Sequence, residues 1–102
     1  MTGKTKTLRS FQHGIDQAFE VSSSLGNIFI ANLHTIDISV YMLVALDDYP
    51  NTLILNGVII PPGVTLNVLE NQPLKIKNTK SSIRYECADS ADDKMGVIYT
   101  AQ

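Results

Sequence analysis

From Gln17 onward, apolar and polar residues alternate with a period of two, the spacing that sends successive side chains to opposite faces of a β-sheet. Phe19 and Val21 alternate with Ala18, Glu20 and Ser22. Ile28 and Ile30 follow Leu25-Gly26-Asn27, which reads as a turn. The clearest strand spans residues 36–46, with Ile36, Ile38, Val40 and Met42 on one face and Asp37, Ser39 and Tyr41 on the other. Its alternation ends at Leu43-Val44-Ala45-Leu46, a run suited to a central strand covered on both sides, or to one covered by a neighbouring subunit. The β-branched residues Ile36, Ile38, Val40 and Val44 disfavour a helix there.

The pattern continues in short pieces separated by turn residues. Asp47-Asp48-Tyr49-Pro50-Asn51 reads as a turn, because proline ends a hydrogen-bonded ladder. Thr52–Leu55 and Val58–Ile60 read as the arms of a hairpin closed by Asn56-Gly57, a pair that tolerates the positive φ of a tight turn. Pro61-Pro62-Gly63 stops the second arm. Residues 64–69, 74–77, 82–87 and 95–101 supply further strands, and Ile83, Tyr85 and Cys87 are expected on the core face. Residues 70–73, 78–81 and 88–94 are polar connections. About eight short strands at regular spacing predict an all-β fold, a single antiparallel β-sandwich of jelly-roll-like form. Residues 1–16 lack clean alternation and read as an N-terminal arm or a short edge strand, leaving 17–102 as the sandwich domain.

Composition narrows the function classes. A chain of 102 residues fits one domain, and one this small buries only about two thirds of its unfolded surface, so oligomerisation would help it. Charged residues make up 18% of the chain, which leaves much of the surface uncharged. Net charge is −2, and no basic stripe points to nucleic acid. The basic residues that do cluster, Lys4, Lys6 and Arg9, sit beside Phe11 and Ile15. That mix suits a segment docking on a neighbour, with two apolar anchors and cations steering it to acidic surface. One cysteine excludes an intrachain disulfide. No apolar leader follows Met1, and residues 36–46 are too short to span a bilayer, so a protein kept in a reducing cytoplasm is expected.

Catalytic and metal chemistry find little purchase. The histidines, His13 and His34, fall in the arm and in the turn Asn32-Leu33-His34-Thr35, where both are expected at the surface. With Cys87 assigned to the core, no Cys–His pair is expected. Asp47-Asp48 and Asp89, Asp92 and Asp93 offer oxygen ligands, but not at calcium-loop spacing. Two separated histidines and one cysteine do not make a four-ligand zinc site. Met1-Thr2-Gly3-Lys4-Thr5 matches only the end of a phosphate-binding loop. The expectation is a protein without catalytic residues, metal or cofactor.

Residues 36 to the C-terminus carry a resemblance. The long strand Ile-Asp-Ile-Ser-Val-Tyr-Met-Leu-Val-Ala leads to Leu53-Ile54-Leu55-Asn56-Gly57. Val58-Ile59-Ile60-Pro61-Pro62-Gly63 then makes a Pro-x-Gly corner before the alternating Val64–Val68. Leu74–Lys77, the strand to Cys87 and the terminal Val97-Ile98-Tyr99 follow. This layout resembles the small β-sandwich virion proteins of tailed bacteriophages. The resemblance implies a homo-oligomeric structural protein of the virion, made in the host cytoplasm. It would contact sister subunits and other virion proteins, as a capsid decoration or cement protein or as a neck, tail or fibre component. A carbohydrate- or receptor-binding module is the alternative, and it would need an exposed aromatic cluster drawn from Tyr41, Tyr49 and Tyr99.

Overall fold

The computed structural model describes residues 4–21, 24–45, 52–70, 72–76 and 81–101. They form nine strands: β1 (Lys4–Leu8), β2 (Gln17–Phe19), β3 (Ser24–Asn32), β4 (Ile38–Val44), β5 (Thr52–Ile60), β6 (Thr65–Asn67), β7 (Leu74–Lys75), β8 (Ser81–Glu86) and β9 (Met95–Ala101). One sheet runs β1-β9-β3-β6, with β7 also on β3, and the other runs β2-β8-β4-β5. All pairings are antiparallel. The pairs β4·β5, β3·β6, β2·β8 and β1·β9 are the rungs of one long ribbon, and β3·β9 and β4·β8 close it into a jelly roll. The predicted all-β sandwich is therefore the observed fold.

Alternation in sequence becomes alternation in burial. In β4, Ile38, Val40, Met42 and Val44 are buried while Ser39, Tyr41 and Leu43 are half-buried. In β9, Met95, Val97, Tyr99 and Ala101 face inward, and β8 adds Ile83 and Tyr85. Together with Leu25, Ile28 and Ile30 these side chains fill the space between the sheets.

Two predicted turns are bulges instead. The strand β5 is continuous through Asn56-Gly57, so no hairpin forms there. Val40 pairs with Val58 and Tyr41 with Asn56, leaving Gly57 as the extra residue at φ +72°. A left-handed glycine is what such a bulge requires, so the residue's conformation was anticipated but its setting was not. Similarly, Leu25-Gly26-Asn27 lies inside β3, where Leu25 pairs with Ala101 and Asn27 with Thr100. A Cβ on Gly26 would meet Thr100 Oγ1 at 2.7 Å, so a side chain there would displace the hydroxyl that accepts from Asn27 N–H, and glycine is favoured.

The N-terminal segment belongs to the sandwich over its described residues. Lys4–Leu8 pairs with β9 along its whole length, and Leu8 packs against the core. Phe11 is 1% exposed and meets the Tyr85 ring edge-on at 6.5 Å. Its expected role as an anchor on a neighbour is thereby corrected, because its own core already covers it. The predicted turn at 47–51 lies outside the described residues, as does most of that at 78–81.

Candidate functional site

Four connections meet at one end of the sandwich: residues 9–16, 33–37, 61–64 and 87–94. They are laced by long-range backbone bonds, with Leu33 N–H donating to Lys94 C=O, Asp93 N–H to Phe11 C=O and Gly63 N–H to Asn32 C=O. Asn32 is buried and all of its amide is used. Its Nδ2 donates to Ile36 C=O at 2.9 Å and Ile60 C=O at 2.8 Å, and its Oδ1 accepts from His34 N–H at 2.8 Å. A buried amide so satisfied fixes the β3–β4 connection against the end of β5. Tyr85 holds the opposite connection, donating to Ala91 C=O at 2.6 Å and accepting from Lys94 N–H at 3.1 Å.

These braces bring His34, Cys87 and Asp89 together, with donor atoms within 4.8 Å of one another. His34 Nε2 lies 2.6 Å from Asp89 Oδ1, and the imidazole is only 7% exposed, so the expected surface histidine is a buried one. Thr35 N–H donates to Nδ1 at 2.7 Å, which places the ring proton on Nε2, facing the carboxylate. Cys87 packs against the core as expected but is only half-buried, at its rim, and its thiol donates to the same Oδ1 at 3.5 Å. Ala91 N–H completes the set at 3.1 Å. The hydrogen bond from His34 holds the Asp89 carboxyl below its ordinary range, and the donors on Ala91 and Cys87 add to this. Burial pushes the Cys87 thiol up, and its Asp89 acceptor pushes the same way.

A thiol kept neutral, separated from the imidazole by a carboxylate, is not an activated nucleophile. Three different donor atoms around one small space could instead hold a metal ion. The neighbouring acids differ: Asp92 and Asp93 accept from the backbone N–H groups of His13 and Ser10 and brace the loops. Asp47 and Asp48 lie outside the described residues.

The second feature is the outer face of the five-stranded sheet. Thr7, Ile98, Phe29 and Asn67 lie in register across β1, β9, β3 and β6, and the neighbouring rung is Gly96, Ala31 and Thr65. Because Gly96 has no side chain, the rung sinks into a depression of about 360 Å³, bordered by Phe29, Leu33, Ile98 and Arg9. Phe29, Leu33 and Ile98 are 37%, 47% and 49% exposed.

Of the five residues predicted to contact partners, only Arg9 borders this face. Lys4 and Lys6 share the core-facing side of the edge strand with Leu8, Phe11 is core, and Ile15 is exposed on the β1–β2 connection. The aromatic cluster required of a carbohydrate-binding module does not assemble among the described residues. Tyr99 is buried, Tyr41 lies under the Arg84 guanidinium at 4.4 Å, and Tyr49 is outside them. Comparison with known protein families, curated proteins and solved structures finds no match to this chain.

Proposed function

We propose that this chain is a non-catalytic building block that assembles with copies of itself through the outer face of its five-stranded sheet, as a virion component of the capsid-decoration or cement type. The apolar depression over Gly96 carries this reading, since contiguous exposed apolar surface on a small domain marks an interaction site.

The edges favour a face contact over sheet extension. Lys4 and Lys6 sit on the core-facing side of the β1 edge, and β5 is bulged at Gly57 and Ile54 along the other sheet's edge. Inward-directed lysines and bulges are devices that block edge-to-edge pairing. The phage assignment rests on the strand and turn layout from residue 36 onward. Its Pro61-Pro62-Gly63 corner is where the chain leaves the four-stranded sheet and enters the five-stranded one.

Light scattering on the eluted protein tests the reading. The intact chain should run as a multiple of its 11.2 kDa protomer, Ile98→Lys should fall to the protomer, and Ile59→Lys, on the other sheet, should not. A wild-type chain that stays a protomer at every concentration would overturn self-assembly.

A further inference from the structure

We propose that His34, Cys87 and Asp89 form a binding site for a zinc-class divalent cation, with three protein ligands and a fourth position open to solvent. An imidazole, a thiolate and a carboxylate suit a borderline-soft ion, and three ligands from two loops leave room for water. The donor atoms already lie within 4.8 Å of one another, on connections held by Asn32 and Tyr85. The imidazole is nearly buried while the carboxylate is half exposed, so the site has a sheltered floor and an open mouth.

The rearrangement on binding is small and specified. With bonds of about 2.0 Å to nitrogen and oxygen and about 2.3 Å to sulfur, tetrahedral ligands sit about 3.3–3.8 Å apart. The 2.6 Å contact between Nε2 and Oδ1 therefore opens, and the widest separation closes. The ion replaces the two protons now aimed at Asp89. The thiol proton leaves to solvent as the sulfur–metal bond forms. The Nε2 proton is lost while Nδ1 gains one, so the imidazole stays neutral and Thr35 N–H turns from Nδ1 to water. Thr35 Oγ1, 3.4 Å from Nδ1, is the acceptor for the relocated proton and fixes the liganding tautomer. The balance is one proton released for each ion bound.

Cobalt(II) and zinc(II) are the probes, titrated into the intact metal-free chain. One equivalent of cobalt should give a thiolate-to-metal charge-transfer band, which zinc then abolishes by displacement. Calorimetry in buffers of different ionisation enthalpy should return one proton per zinc. The band should disappear in Cys87→Ala and His34→Gln and persist in His13→Gln. Cys87 is half-buried at the margin of the core and adds one long thiol hydrogen bond, so Cys87→Ala should keep its β-sheet circular dichroism even if His34→Gln loosens the loops. No charge-transfer band in the wild type would overturn the site, and so would zinc binding undiminished in a folded Cys87→Ala. The outcome is independent of self-assembly, because the ligands lie in the loops and not on the sheet face.

Discussion

At the loop end of the sandwich, polar groups are matched within the chain. Asn32 uses its whole amide, Tyr85 both donates and accepts, and Asp89 gathers three donors on one oxygen. On the outer face of the five-stranded sheet the situation is reversed. Phe29, Leu33 and Ile98 are left partly exposed around a glycine, with Arg9 as the charged group at the margin. The other sheet's outer face is mixed, because Leu53 and Ile59 are exposed at 52% and 54% while Arg84 lies over Tyr41 and pairs with Asp16 at 3.7 Å and Glu86 at 3.8 Å. A region whose groups satisfy one another is built for rigidity. A region with apolar surface left over suits a partner, and that contrast separates the proposed metal site from the proposed assembly face.

The largest effect should come from Phe11→Ala at the base of the loop end. Phe11 is buried against Tyr85, and removing a core phenylalanine costs about 3–5 kcal/mol. Ile15→Ala, on the exposed part of the same connection, should stay within about 0.5 kcal/mol. Urea unfolding of the two variants checks this, and equal effects would mean that the loop end is not the ordered region described. Tyr85→Phe should cost about 1–3 kcal/mol, since Ala91 C=O and Lys94 N–H both lose their partner.

The difference between these regions explains what could be read from the sequence. In β4, β8 and β9 every second residue is buried, so alternation along the chain reports the sheet directly. The bulges break that parity. Leu55 and Ile60 are both buried although an odd number of positions separates them, and so are Leu25 and Ile28, which makes each bulged segment resemble a turn. Asn-Gly compounds the ambiguity, because a tight turn and this bulge both require glycine at positive φ. The edge strand β1 was hard to recognise because its only core side chain is Leu8. The site was invisible for another reason: His34 and Asp89 are 55 positions apart and meet only when the ribbon rolls up. The one signal in the sequence, Cys87 two positions before Asp89, is hidden because the alternation of Ile83 and Tyr85 continues to Cys87, one residue past the end of β8.

A milder prediction concerns alkaline pH and distinguishes buried tyrosines from the exposed face. Burial raises the hydroxyl pKa of both Tyr85 and Tyr99, and Tyr99 donates to Glu20 C=O at 3.2 Å. A folded pKa above the unfolded value means the neutral form is favoured by folding. The associated stability is complete below about pH 10 and is lost as pH rises through the folded values. Unfolding midpoints followed against tyrosinate absorbance should decline together above that point. Ionisation of both hydroxyls without loss of structure would contradict their burial.

The smallest effect on stability should come from Gly96→Ala, and it separates folding from assembly most sharply. Gly96 has no positive φ, and a Cβ there meets only Leu33 Cδ1 at 3.5 Å and Arg9 Cδ at 4.0 Å, both ordinary contacts. The folded domain therefore accepts the methyl group, while the unfolded chain loses conformational freedom. Stability of the protomer should rise by about 0.4–1 kcal/mol. The same methyl group sits on the floor of the depression over β9, where a partner's side chain would seat, so the oligomer should weaken while the protomer strengthens. Denaturant midpoints at low concentration and light scattering at high concentration measure the two changes separately. A rise in both would mean that the depression is bare surface and that glycine at this position serves neither purpose. A fall in protomer stability would mean that β9 favours glycine for its own pairing, as β3 does at Gly26.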